Sequence, residues 1–204
     1  MKLRMLWLLL SLLLAAFPAR SQDRRVYEGV VGLKKKTIGT TILLEITGTS
    51  VGGWMRLEEF IPIEGGTVSE NFTEFRAGGN SYKIDERRRR IAYSGPDGSG
   101  DRLITPLSRV TGVIDEWIEG TRFSGGDVIR IEVRGRRRDF RVGRPSLWKR
   151  QGPPFETFSR VEDLVGTEFT VWVAGLGRRG GTIVVLEEPE GMNIPLKAPK
   201  KPKE

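Results

Sequence analysis

The chain contains no cysteine and no histidine. Without cysteine there is no disulfide to staple the fold and no thiolate to attack a substrate or hold a metal. A lipid anchor of the bacterial lipoprotein type, which needs a cysteine at the cleavage point, is excluded as well. Without histidine the usual general base, the Ser-His pair and the commonest zinc ligand disappear together. Long apolar runs are almost as scarce. Residues 5–17 form the main one, thirteen residues interrupted by Ser11, whereas a membrane-spanning helix needs roughly 20. Any catalysis would rest on carboxylates, Lys, Tyr or a metal held by oxygen alone. The protein is therefore expected to be held by its own core, and the missing histidine is the strongest argument against an enzyme; no cofactor and no metal are expected.

What is present starts with an export signal. Lys2 and Arg4 precede the apolar run, Pro18 ends it, and Ala19-Arg20-Ser21 places small residues three before and one before a cut at Gln22. That is the three-part plan of a secretory signal peptide over residues 1–21. A retained membrane anchor is the rival reading, and the shortness of the run argues against it. Cleavage leaves 183 residues, enough for one large β domain or two small ones. An exported chain without disulfides suits a bacterial envelope, periplasmic or at the cell surface. In that setting the match of Asn71-Phe72-Thr73 to the N-glycosylation pattern is accidental.

The charge is unevenly placed. Residues 22–119 carry 14 basic and 15 acidic side chains, and residues 120–204 carry 17 and 11. The basic character belongs to the second half, where an acidic partner is to be sought.

The grammar along the chain is that of strands. Residues 41–47 are β-branched and apolar, and after Gly48 a second run begins at Val51, which reads as a hairpin. Further strands are expected at 27–33, 60–63, 68–75, 81–84, 90–94, 103–104 and 110–118. Turn residues punctuate them at Gly65-Gly66, Gly78-Gly79-Asn80 and Gly95-Pro96-Asp97-Gly98. In residues 128–134 the apolar positions 129, 131 and 133 alternate with Arg130, Glu132 and Arg134, the pattern of a half-buried strand. Residues 139–142 return as its partner, and 143–154 read as a Gly/Pro-rich connection. Residues 159–164 fit one helical turn with Ser159 as its cap. Strands at 169–174 and 182–186 flank a glycine-rich hairpin turn, which lacks the Lys-Ser/Thr of a phosphate loop. No stretch keeps a helical period for long. The expected fold is all-β with few short helices: a meander or barrel-like unit over 22–119, a smaller basic barrel or sandwich-like unit over 120–196, and a disordered Lys/Pro tail over 197–204.

The cadence of the first unit supports this. Val51-Gly52-Gly53-Trp54, then Ile61-Pro62-Ile63-Glu64-Gly65-Gly66, Phe72 and Phe75, Ile91-Ala92-Tyr93-Ser94-Gly95 and Gly100-Asp101-Arg102-Leu103 follow one another. Over residues 26–119 this resembles small exported, mostly uncharacterised bacterial β-meander domains, whose strands turn back through Gly-Asp or Gly-Gly. The resemblance implies a fold and an envelope location and brings no catalytic residue. The run Arg87-Arg88-Arg89-Arg90 departs from its spacing.

Two basic clusters stand out, residues 87–90 and 134–141. Guanidinium grips phosphate, carboxylate or sulfate bidentately, so Arg134, Arg136, Arg138 and Arg141 are candidate anion ligands on one face of a hairpin. The plainer reading of both clusters is a solvated strand end. Nucleic acid is not an expected partner, because interleaved aromatics are missing and the chain is exported. The doublets Glu58-Glu59, Asp85-Glu86, Asp115-Glu116 and Glu162-Asp163 invite a glycosidase reading, yet neighbours in a strand point to opposite faces. Among the tryptophans, Trp172 faces away from Val171 and Val173 and is the candidate stacking residue. The expected function is a non-catalytic binding or accessory protein whose basic half, with Lys197, Lys200, Lys201 and Lys203, contacts an anionic envelope polymer or partner protein. The alternatives are a calycin-like carrier of an apolar molecule and a carboxylate-dependent hydrolase. Expression in an export-competent bacterium is expected to yield a chain starting at Gln22. Intact mass reads this directly, and a mass that retains residues 1–21 favours the anchor.

Overall fold

The computed structural model describes residues 23–33, 36–120, 126–149, 156–157 and 165–187. The signal segment, the helical turn expected at 159–164 and the tail at 197–204 lie outside them. The described residues form strands and turns, with no helix. The chain divides into two compact units.

The first unit is an eight-stranded closed barrel in which each strand pairs with its neighbours in sequence. Its strands are β1 (Asp23–Leu33), β2 (Lys36–Thr47), β3 (Ser50–Arg56), β4 (Phe60–Val68), β5 (Phe72–Ala77), β6 (Asn80–Asp85), β7 (Arg90–Gly95) and β8 (Gly98–Pro106). Alternation in sequence becomes alternation of burial. In β5 Thr73, Phe75 and Ala77 point in, and in β6 Asn80, Tyr82 and Ile84 do, while the residues between them face out. One expectation fails here. Gly65-Gly66 is not a turn: β4 runs through it to Val68, and the chain turns at residues 69–71. The pairing with β5 slips between Ile63 and Gly65, where Gly65 has φ +137°. The glycines thus serve a bulge inside a strand.

The second unit is a five-stranded barrel. Its strands are β9 (Ser108–Ile118), β10 (Val128–Val133), β11 (Arg136–Lys149), β13 (Glu168–Gly177) and β14 (Gly180–Glu187), with the short β12 (Glu156–Thr157) beside β11. The sheet order is β10-β9-β13-β14-β11-β12, and pairing of β10 with β11 closes the ring. All its pairings are antiparallel except that of β11 with β14. Its core is Ile114, Ile129, Ile131, Phe140, Phe169, Val171, Ile183 and their neighbours. Residues 143–149, read as a connection, continue β11.

The expected boundary near Gly120 is wrong by a whole strand. The second unit starts at Thr105 and also takes Val26–Glu28, so β9 belongs to it. The charge step misled because the acids of β9 are counter-charges for arginines on β10 and β11, as shown below. Counted from Thr105, the balance is 18 basic against 14 acidic residues.

The interior of the first barrel is filled by side chains. Ile42, Leu44, Met55, Ile84 and Ile91 have 0% of their surface exposed, so no space that admits water touches them. Eight strands enclose about the volume that side chains alone can fill. Phe75, Tyr82 and Tyr93 lie opposite one another on β5, β6 and β7, with Phe75 and Tyr82 stacked at 5.2 Å. Tyr93 then reaches the seam between β8 and β1. The Gly32 N–H donates to its hydroxyl at 2.8 Å, and a Cβ on Gly100 would lie 2.4 Å from that oxygen. Only glycine leaves room for the phenol to bridge the closure.

Tyr82, by contrast, is 2% exposed, and its hydroxyl has no hydrogen-bond partner among the described residues. Burial, the charge of Asp97 and the neighbouring Tyr93 push its pKa up from 10.0 to about 12. The unfolded chain therefore releases this proton near pH 10 and the folded chain only near pH 12. Stability is complete below that window and falls across it, by up to about 1.4 kcal/mol per pH unit. Tyr82→Phe is expected to remove this alkaline slope. It should leave stability at pH 7 unchanged or higher, because the lost hydroxyl was making no bond. Urea melts at neutral and alkaline pH check this, and a variant clearly weaker at pH 7 refutes it.

Candidate anion-binding groove

The second barrel carries an open groove of about 880 Å³ lined by Arg130, Arg137, Arg138, Asp139, Arg141, Arg178, Arg179 and the residues flanking that last pair. Three elements meet there. β10 supplies Arg130, β11 supplies Arg137, Arg138, Asp139 and Arg141, and the β13–β14 turn supplies Arg178 and Arg179. Parallel pairing places Arg141 opposite Thr182 on β14. The Asp139 N–H donates to the Arg179 carbonyl at 3.1 Å, which ties the turn to β11.

The arginines fall into two groups. Arg130 and Arg137 are held by acids. Arg130 Nε and one terminal nitrogen bond the two Asp139 oxygens at 2.8 and 3.3 Å, and its other terminal nitrogen bonds Glu116 at 2.5 Å. The Asp139 hydrogen bond, helped by the charges of Asp139, Glu116 and Asp115 and opposed by slight desolvation, pushes the Arg130 pKa above its ordinary value. Arg137 sits 3.1 Å from Asp115. Arg138, Arg141, Arg178 and Arg179 make no ion pair among the described residues. Among the described residues, four guanidinium groups thus line the groove without a counter-ion.

Both acids of the Asp115-Glu116 doublet serve the outer face, against the expectation that strand neighbours diverge. The β9–β10 register slips between Arg130 and Ile131, so Glu116 lies opposite Arg130 and Ile114 opposite Ile131. The extra residue is Asp115. A bulge re-aims a side chain in this way, and here it produces a second counter-ion rather than a catalytic pair.

The four arginines singled out from sequence do not share a face. Arg138 and Arg136 have the parity of the buried Phe140, whereas Arg141 has that of Asp139 and Arg137. Arg138 is half-buried and still reaches the groove, Arg141 is exposed and lines it, Arg136 lies nearer the hairpin end, and Arg134 is in the turn itself. The four candidates leave out Arg130, Arg137, Arg178 and Arg179, which also line the groove. Arg130 belongs to the alternation expected to face solvent, Arg137 lies among the candidates without being one, and Arg178 and Arg179 fall in a stretch expected only as a hairpin turn. No local signal places a turn near residue 179 beside residue 139. Trp172 does face away from Val171 and Val173, but it is 4% exposed and its indole N–H donates to Glu187 at 2.7 Å. It offers no ring to a ligand, which corrects the stacking expectation. Trp117 is likewise engaged, donating to Asp127 at 3.0 Å.

A second depression of about 670 Å³ is lined by residues of β4 to β7, among them the aromatic row Phe75, Tyr82 and Tyr93. Its charged lining, Glu64, Glu74, Arg76 and Lys83, sums to zero. Lys83 is bound to Glu74 at 2.6 Å and lies over the Phe72 ring at 4.3 Å. This surface has no preference for one sign of charge. Among the described residues no group of acids has the geometry to hold a metal ion, and the acid doublets are drawn to basic residues: Asp85 to Arg88, Glu86 to Arg25, Glu58 to Lys36. Glu162-Asp163 lies outside the described residues.

No family model, no curated protein and no solved structure matches this chain. The functional reading therefore stands on the groove itself.

The groove depends on Gly180. This residue has φ +136°, and a Cβ there would lie 1.8 Å from the Asp139 carbonyl oxygen. Gly180→Ala is expected to cost about 3 kcal/mol, through backbone strain and loss of the turn's contact with β11. Chemical denaturation measures it. A change within about 0.5 kcal/mol, the range of ordinary surface substitutions, would mean that the turn is not seated as described.

Proposed function

We propose that this chain is an exported, non-catalytic binding module of a bacterial envelope that holds an anionic polymer in the groove of its second barrel. The observation that carries the reading is the convergence of Arg138, Arg141, Arg178 and Arg179, without counter-ions among the described residues, from elements far apart in sequence. Such an arrangement suits a ligand with several phosphate, carboxylate or sulfate groups, each gripped by a planar fork of donors.

The fold supports this by analogy only. Five-stranded Greek-key barrels bind oligonucleotides and oligosaccharides on the face of their second and third strands and on the loops after strands one and four. In this chain those positions are β10, β11 and the β13–β14 turn, the same elements that bear the arginines. Export directs the choice toward an envelope polysaccharide or polyphosphate-like chain rather than nucleic acid. Complete burial of Ile42, Leu44, Met55, Ile84 and Ile91 inside the first barrel favours this reading over an apolar carrier. Among the described residues Asp139 is the one acid lining the groove, which disfavours a hydrolase needing two opposed carboxylates.

Fluorescence anisotropy with labelled heparin, a generic sulfated polysaccharide, tests the reading. Affinity should fall steeply as NaCl rises, because the attraction is between exposed charges. Arg141→Ala and the double variant Arg178→Ala/Arg179→Ala are expected to weaken binding and to lower the salt slope by about one for each arginine removed. Binding that ignores salt, or that survives the loss of all three arginines, removes this function. A preference for single-stranded DNA of equal charge would redirect it.

A further inference from the structure

Two residues other than glycine adopt a left-handed backbone among the described residues, Arg89 with φ 53° and Arg134 with φ 52°. Arg89 has a structural task there, since its carbonyl accepts the Ile104 N–H at 2.9 Å. Arg134 has none of this kind. It and Gly135, φ 71°, are the whole connection between Val133 and Arg136, which pair directly. Two consecutive left-handed residues make the mirror-image turn favoured in tight hairpins, and its first position is normally asparagine, aspartate or glycine. A long side chain is disfavoured there. Strain of this kind persists where surrounding structure or function maintains it. Neither Arg134 nor its neighbour Arg136 makes an ion pair among the described residues, and both are exposed.

We propose that Arg134 is a ligand contact, and that the groove's ligand is an extended polyanion reaching from Arg141 to the hairpin tip. This rests on the anion-binding reading of the groove. β11 carries arginine at 136, 137, 138 and 141, so positive charge recurs on both faces of the strand between the groove and the turn. At 3.2–3.4 Å per residue, the strand from 136 to 141 covers roughly 17 Å. A single phosphate or sulfate occupies one end of such a track. A chain of several charged repeats occupies all of it, and only such a chain gains from a guanidinium held at the tip. The strained turn residue is then explained, because the side chains that fit the backbone best carry no positive charge.

Arg134→Asn and Arg134→Gly separate the two demands on this position. Both are expected to raise Tm, by roughly 2–8 °C. Both should also weaken binding of a long heparin fraction, roughly three- to tenfold at low salt, while leaving binding of a sulfated disaccharide unchanged. Arg134→Lys, which keeps the charge on the same backbone, should retain most of the affinity and show no gain in Tm. If the long fraction binds Arg134→Asn and Arg134→Gly as it binds the parent, while Arg141→Ala weakens it, the extension to the tip is overturned and the groove stands. Equal losses for the long fraction and the disaccharide also overturn it, since the tip would then not read length. If Arg141→Ala has no effect either, the groove reading itself has failed.

Discussion

The parallel pairing of β11 with β14 is the contact on which the second unit depends. Every other pairing in that barrel is antiparallel and could form within a hairpin or between long neighbours. The parallel one requires the chain to leave β11, cross over and return beside it. Together with the β10–β11 pairing it completes the five-stranded ring, and it brings Phe140, Ile183 and Val171 into one core. It also decides where the β13–β14 turn lands. Because Asp139 donates its N–H to Arg179 across this seam, two arginines about forty residues later in the chain come to rest beside those of β11.

Electrostatics in this unit divides into a framework and a surplus. Asp139, Glu116 and Asp115 are committed to Arg130 and Arg137. Exposed pairs of this kind contribute little to stability one at a time. Their effect here is to hold β9, β10 and β11 in register on the outer face and to neutralise two of the six groove arginines. The remaining four are the surplus available to an anion. A count of charge by segment cannot see this division, because two of the three counter-ions, Asp115 and Glu116, lie on a strand that the count assigned to the other half.

The first barrel shows a different solution to closure. Its interior is a stack of covered apolar side chains, crossed by the aromatic row Phe75, Tyr82 and Tyr93, and the row ends in a hydroxyl that accepts a strand N–H at the seam. The row fits because Gly100 withholds a side chain where the phenol passes. Tyr82 sits in the same row with its hydroxyl unbonded. Packing therefore outweighed the cost of burying one polar atom, which is the order of magnitudes expected when a large ring fills a barrel.

By itself the sequence determined the class of the fold and most of its strands. Alternation at 129, 131 and 133, β-branched runs such as 41–47 and Gly-Pro-Asp-Gly at 95–98 are local signals of strand and turn, and local geometry suffices to read them. It also determined that the second half is basic and that arginines cluster at 134–141. Tertiary structure decided the rest. The unit boundary moved because strand membership is a pairing property, and β9 pairs with β10 and β13. Gly65-Gly66 became a bulge because only the partner strand distinguishes an extra residue from a reversal. Trp172 became a buried hydrogen-bond donor because facing away from one core does not mean facing water. The groove itself, built from residue 130 on one strand, residues 137–141 on the next and 178–179 on a distant turn, exists only after the barrel has closed, and no spacing along the chain encodes it.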